Sequence, residues 1–507
     1  MRITNKIISN NSVTNINNNK IYEDRLNTQL STGSKINRPS DDPVIAIRAL
    51  RLRTNLNEVS QYYSKNIPDA ESWLDVTESA VDTTIDIIKD MYANCTKGAA
   101  GFNTSEDRAK VLDNIKALQK EVYATADADY AGRYVFAGYR TDTPVTFGQE
   151  TDRTYTITEQ VTSDRIDEIT YVNTAGLDKL TASNAEGLGI TEQNVDDSKV
   201  YRLRLAYDNC EAGVAPTIRY YDTDGTQKTL TATAISINDD TQDPYLGADS
   251  AAGGIVYIPE TGELILSENV YNKLAGTKDN AATTTIDEGE IRITYEKSKF
   301  DAADIRPEHF FYCESNGIAY NSEYLTGDKT DAARQYISYD VGFNQSVRVN
   351  TLASELFSPM LSRDVDDLIH SIEDVDEMEA NIATLEKLLK EDPDNADLTE
   401  RLDAAKKANT LLTDKMQKLF ESSITKMQKH LDQANGALTA VGNRSSRVEL
   451  VSNRLAKQKV NFQELSSENE DVDLSEAAIQ LGSVELAYQA ALMATGKISQ
   501  TTLLNYI

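Results

Sequence analysis

From Leu474 onward, apolar and small residues recur at steps of three and four: Leu474, Ala477, Leu481, Val484, Tyr488, Ala491, Thr495 and Ile498 form one narrow stripe. That is the spacing of a helix lying against another helix. Such a helix gains little from propensity alone, because most helical stability in water comes from burying the apolar face. It needs a partner, and residues 1–32 are the candidate. Their apolar positions, Ile3, Ile7, Val13, Ile16, Ile21, Leu26 and Leu30, are sparse and interrupted by the polar block Asn15 to Lys20. A segment this thin buries too little surface to offset its ordering entropy when alone. Both stretches are therefore expected to be loose singly and helical when paired.

Gly33 breaks the first helix. In Asn37-Arg38-Pro39-Ser40-Asp41-Asp42-Pro43 a proline-closed turn precedes side chains suited to capping the next helix, with Pro43 where no backbone donor is missed. From Val44 the helical period resumes through Ala49, Leu52, Leu56, Val59 and Tyr63. Pro68 predicts a short break, after which Trp73, Thr77, Ala80, Thr84, Ile87 and Met91 keep the same spacing. Lys97 to Gly101 reads as a loop, and Val111, Ile115, Leu118 and Val122 mark a third helix with Ser105 as its cap.

Between about 146 and 300 the chain turns rich in Thr, Asp and Gly, with short alternating runs that read as strands. Hairpins are predicted for Ile218 to Leu230 about Asp224-Gly225 and for Ile255 to Leu266 about Thr261-Gly262. Val200 to Tyr207 and Glu290 to Glu296 supply further strands, and Tyr336 to Thr351 another hairpin. Helices return after Pro359. One stripe runs from Val365 to Leu389, Glu391-Asp392-Pro393-Asp394 interrupts it, and a second runs from Leu398 to Leu419. A separate helix of about 40 residues, roughly 60 Å, is expected from Ile424 through Met427, Leu431, Val441, Val448 and Leu455 to Phe462. The fold class is mainly α: a long antiparallel coiled-coil-like helical rod formed by the N- and C-terminal segments, with an inserted β-rich domain.

At 507 residues the chain exceeds a single core. Lys+Arg 51 against Asp+Glu 81 gives a formal net charge of -30, which repels nucleic acid and anionic membranes. No nucleic-acid partner is expected, and no membrane insertion, since no segment approaches the ~20 apolar residues that span a bilayer. The polar opening carries no cleavable secretory signal, so any export is expected to use another route. Cys95, Cys210 and Cys313 are too scattered for a disulfide framework or zinc spacing, and His309, His370 and His430 lie in no metal motif. No phosphate loop or nucleophile elbow is visible. Catalytic, metal and cofactor-binding residues are all expected to be none.

Several stretches resemble the flagellin superfamily, and within it the hook-filament junction proteins of the bacterial flagellum. They are Leu30 to Pro43, Gly132-Arg133-Tyr134-Val135-Phe136-Ala137-Gly138, Tyr339-Asp340-Val341-Gly342, Ala487-Tyr488-Gln489-Ala490-Ala491-Leu492, Lys497-Ile498-Ser499-Gln500 and Leu503-Leu504-Asn505-Tyr506-Ile507. The resemblance covers about 1–145 and 300–507. It implies terminal helices lining an inner tube (1–42 with 466–507), an outer helical rod (43–145 with 300–465, including an enlarged hairpin at about 363–420) and a solvent-facing β domain (146–299). It implies as partners copies of the chain, the first hook-associated protein, flagellin or the filament cap, and a flagellar export chaperone. The location implied is extracellular, in the flagellum. Assembly contacts are expected from Ile7, Leu26, Leu30, Leu474, Leu481, Val484, Tyr488, Ile498, Leu503 and Leu504, with Gly33, Asn37, Pro39, Ser40, Asp41, Asp42 and Pro43 as the family turn. Bulk flagellin, or a secreted binding module carried by the β domain, are the alternatives.

Overall fold

The computed structural model describes residues 5–101, 104–179, 189–222, 226–239, 242–276, 290–326 and 335–500. In chain order the first elements are α1 (Asn5–Thr32), α2 (Pro43–Gln61), a π-turn (Tyr62–Asn66), α3 (Ile67–Ala99) and α4 (Ser105–Ala124). The β-rich part contains β1 (Asp129–Tyr130), β2 (Arg133–Tyr134), β3 (Thr151–Thr162), β4 (Ile166–Asn173), β5 (Asp196–Arg204), β6 (Thr217–Tyr221), β7 (Gln227–Thr231), β8 (Thr233–Ala234), β9 (Ile255–Ile258), β10 (Glu263–Leu266), α5 (Glu268–Ala275), β11 (Glu290–Phe300), β12 (Tyr312–Ser315), β13 (Ile318–Tyr320) and α6 (Ser322–Thr326). There follow β14 (Ser338–Gly342), β15 (Gln345–Arg348), α7 (Ala353–Leu356), α8 (Met360–Glu391), α9 (Ala396–Glu470) and α10 (Leu474–Gln500). The chain divides into two compact units: 1–69, 339–347 and 447–507 form one, 70–338 and 348–446 the other.

In the first unit α1 and α10 pack together, and the turn of the β14–β15 hairpin meets the π-turn. Phe343 stands edge-on to Tyr62 with centroids 5.8 Å apart, and Asn66 Nδ2 donates to Asp340 O at 2.7 Å. The break expected at Pro68 is absent. Pro68 lacks the donor an α-helix needs, and the wider turn ahead of it, closed by Ile67 N donating to Tyr62 O, lets the helix run on.

Among the described residues the second unit holds two larger sheets besides the short β1–β2 pair. One has strand order β13-β12-β3-β11-β6-β7, the other β4-β5-β10-β9-β8. The long β3–β11 pairing runs antiparallel from Thr162 opposite Glu290 to Thr151 opposite Phe300. The hairpins expected over 218–230 and 255–266 form as β6–β7 and β9–β10. Strands also continue beyond residue 299, because β12 pairs with β3. Val200, Val256, Ile258 and Ile265 pack in one apolar cluster between strands and loop.

The helices of this unit depart from expectation in two places. Lys97 to Ala99 continue α3 rather than opening a loop, and Gly98 lies against the Phe420 ring so closely that a Cβ there would fall 2.3 Å from a ring carbon. The stretches read as a helix to Leu419 and a separate one from Ile424 are one helix, α9, of 75 residues. Glu421-Ser422-Ser423 is polar but contains no breaker, and the buried row Met416, Phe420, Met427, Leu431 passes straight through it.

Arg202 and Arg204 of β5 point into the unit rather than to solvent. Arg202 meets Asp367 at 2.7 Å and Glu263 at 2.6 Å, and Arg204 meets Asp367 at 2.9 Å. Asp364 accepts from His430 Nε2 at 3.0 Å and pairs with Lys426 at 3.1 Å. These charges join sheet, α8 and α9.

Candidate assembly interface

The expected stripe of α10 is the face that turns inward. Ala477 is buried, and Leu481, Val484, Tyr488, Ala491 and Thr495 are half-buried. Opposite them, α1 buries Leu26 and half-buries Ile8, Ile16 and Leu30. The helices run antiparallel: Val472 N donates to Gly33 O at 2.9 Å at one level, and Tyr22 OH donates to Gln480 Oε1 at 3.1 Å further along. Ile7 and Leu474 are exposed. Ile498 lies in α10, but its side chain is outside the described residues, as are Leu503 and Leu504 entirely.

The connection after α1 is built as its residues suggest. Gly33 takes φ 70°, the left-handed conformation that ends a helix where a Cβ would be strained. Asp41 accepts from Arg38 N at 2.9 Å and Asn37 N at 3.1 Å, and these backbone hydrogen bonds hold its carboxyl below the usual range. Asp42 caps α2, accepting from Val44 N at 2.9 Å and Ile45 N at 3.2 Å, with Pro43 in the first turn. Asn37, Pro39 and Ser40 are exposed.

Sequence reasoning missed what locks this turn against the end of α9. Lys35 N donates to Glu470 O at 2.7 Å, Arg53 forms a two-pronged pair with the Glu470 carboxylate, and Asn469 Nδ2 donates to Ile45 O at 3.1 Å. No local pattern announces pairs more than 400 residues apart in sequence. The cap of α10 was findable: Asp473 accepts from Ser475 N at 2.9 Å and Glu476 N at 3.1 Å, an ordinary acid immediately before a helix.

The pair leaves a second apolar row uncovered. Ile479, Leu486 and Met493, spaced by seven, are 72%, 68% and 67% exposed, and Ile7, Val13 and Ile21 on α1 are exposed as well. Seven-residue spacing brings side chains back to nearly the same helix face, as a further helix would require. Among the described residues no helix is long and apolar enough to cross a membrane.

Comparison with known proteins agrees with this helical arrangement. The bacterial flagellin N-terminal helical region matches residues 3–141, and the bacterial flagellin C-terminal helical region matches residues 422–507. Flagellar hook-associated protein 3 of Salmonella typhimurium is 29% identical over 176 residues, covering 32% of this chain and 53% of that protein. A flagellin of Clostridium tyrobutyricum is 28% identical over 122 residues, 24% of this chain and 32% of that one. The chain spans about half the length of the curated hook-associated relatives it matches. A solved FlgL from Xanthomonas campestris aligns at 10% identity, covering 82% of this chain and 98% of that one, with a TM-score of 0.30. The two terminal helical regions of flagellin thus match this chain on either side of its β-rich part.

Proposed function

We propose that this protein is a structural subunit that joins the hook of the bacterial flagellum to its filament and assembles through its terminal helices. The observation that carries the reading is the uncovered row Ile479, Leu486 and Met493 on a helix pair of flagellin type. Burying a large apolar side chain is worth about 1.5–3 kcal/mol, so a few such residues per subunit offset the ordering of a thin terminal pair. Ile7, Leu26, Leu30, Leu481, Val484 and Tyr488 serve the pair or its neighbours, and Leu474, Ile498, Leu503 and Leu504 are assigned to the same assembly contacts. The likeness to hook-associated protein 3 over part of its length supports a place between hook and filament rather than along the filament. On this reading the protein is extracellular, has no catalytic role, and meets copies of itself, the first hook-associated protein, and flagellin or the filament cap, after export with a chaperone. The helical segments 1–42 and 466–507 form its inner layer, 43–145 and 300–465 the outer one, and 146–299 faces solvent.

Cells carrying Ile479→Asp with Leu486→Asp are expected to keep intact hooks and shed their filaments, as seen by electron microscopy. Filaments of normal number and length would refute the reading. The partial match to a flagellin favours a bulk filament subunit as the second reading. Purified protein added to filament seeds separates the two, because bulk flagellin extends them without limit and a junction subunit adds a short layer.

A further inference from the structure

A lysine on β11 faces two carboxylates inside an aromatic enclosure. Lys297 is 1% exposed, and its Nζ donates to Asp208 O at 2.6 Å. The same Nζ lies 3.6 Å from Asp208 Oδ1 and 3.9 Å from Asp304 Oδ2. The ring centroids of Phe300 and Tyr207 stand 5.3 and 5.7 Å from it, and Phe300 packs on Phe147 and Tyr155 at 4.7 and 5.4 Å. A buried ammonium recovers its desolvation cost only with close geometry, and 3.9 Å to the half-buried Asp304 carboxylate is beyond hydrogen-bond reach.

The backbone around Asp304 is held by its neighbours. Phe147 N donates to Asp304 O at 2.8 Å, Ala303 N donates to Phe147 O at 2.8 Å, and Asp301 N donates to Asp304 Oδ2 at 3.0 Å. Ala303, which carries a Cβ, is kept at φ 74°, a left-handed conformation that persists only where the surroundings enforce it. Burial pushes the Asp304 carboxyl up to about 6, against the pull of Lys297. The fold therefore uses a strained residue to present a carboxyl to a buried amine, with a second carboxylate beside both.

We propose that Lys297 and Asp304 condense into an intramolecular amide bond, with Asp208 as the proton carrier. A bond forms between Lys297 Nζ and Asp304 Cγ, and the bond from Cγ to one carboxyl oxygen breaks. That oxygen leaves as water, taking two protons that entered on the lysine ammonium and the aspartate carboxylate pair. Asp208 accepts a proton from Nζ and returns it to the departing oxygen, so no oxidant, reductant or cofactor is consumed. Arg363 Nη1, 3.8 Å from Asp208 Oδ2, orients the carrier. The aromatic rings of Phe300 and Tyr207 cover the lysine side of the product amide. The bond closes a covalent ring over the bend between β11 and Asp304, and a neutral amide replaces a buried pair of charges.

Peptide mass spectrometry of the folded full-length protein, denatured and digested with trypsin, tests this directly. The expected product is a branched peptide joining residues 293–299 to 300–329, since trypsin spares the Arg306-Pro307 bond, lighter by one water than the two peptides together. It is absent from chain held in denaturant throughout, and absent from Lys297→Arg. Asp208→Asn keeps both reacting groups and is expected to slow linkage after refolding by at least about tenfold, with circular dichroism showing that the variant folds. Complete cleavage after Lys297 in the folded wild-type protein would overturn the proposal and leave an ordinary buried ion pair. Linkage at an unchanged rate in a folded Asp208→Asn protein would overturn the assignment of Asp208.

Discussion

Arg204 Nη2 stands 2.5 Å from Asp364 Oδ1, with the two side chains 7% and 5% exposed. Burial alone would raise the Asp364 carboxyl, but the hydrogen bond from His430 and the charges of Arg204 and Lys426 hold it far below the usual range. Asp364→Asn leaves those cations facing one another without their shared counter-charge. Unpairing a buried charge costs about 3–5 kcal/mol. Denaturant unfolding of the full chain is expected to show a loss of that size, and a change under about 1 kcal/mol would contradict the network's role.

The same pairs bear on the β-rich segment by itself. Arg202 and Arg204 find Asp364 and Asp367 on α8, and β3 pairs with β12, so a fragment of residues 146–300 takes from two buried arginines their α8 carboxylates, leaving only Glu263 and Asp167, and opens a sheet edge. Such a fragment is expected to show poor amide dispersion by NMR, whereas a chain spanning 70–446 folds cooperatively. A well-dispersed spectrum from the short fragment would show that its core suffices alone.

His309 gives a pH dependence with a definite sign. Burial pushes its ring down to about 4, with Arg140 and Arg306 adding to the shift and Glu308 opposing it, while Nε2 donates to Pro144 O at 3.1 Å. A ring whose folded pKa lies below its unfolded value near 6.5 contributes full stability above pH 6.5 and loses it as pH falls toward 4. The loss is about 3 kcal/mol. His309→Gln is therefore expected to flatten the acid-side decline of Tm relative to wild type. Parallel curves would exclude the buried neutral ring as the cause.

Gly98 tests the passage read as a loop. Gly98→Ala drives a methyl into the rigid Phe420 ring, with an expected cost of about 1–3 kcal/mol by denaturant titration. Gly98→Ala combined with Phe420→Leu is expected to recover part of that loss, because the obstacle rather than helix propensity sets the cost.

Asp42→Ala removes the acceptor for Val44 N and Ile45 N and is expected to cost about 1 kcal/mol, with Asp42→Ser near neutral. Equal losses in both variants would assign Asp42 a role other than capping.

The helical face of α10, the cap at Asp42 and the turn at Gly262 were legible because each depends on residues a few positions apart. The unbroken run of α9 through Glu421-Ser422-Ser423 was hidden by a polar patch that lowers local amphipathicity without supplying a glycine or proline to end the helix. Arg202 and Arg204 looked like the wet side of an alternating strand, yet they are buried. Their partners lie about 160 residues downstream, and nothing in the strand's own pattern marks that face as covered. The apolar row Ile479, Leu486 and Met493 falls between the positions of the narrow stripe on α10, so the period of that stripe does not mark it.

The partnership of α1 with α10 sets a clock for biosynthesis. About 440 residues separate the two helices, and ribosomes add roughly 5–20 residues each second. The earlier helix thus emerges some tens of seconds before its mate exists, and its sparse apolar content keeps that long solitary interval from becoming an aggregation hazard.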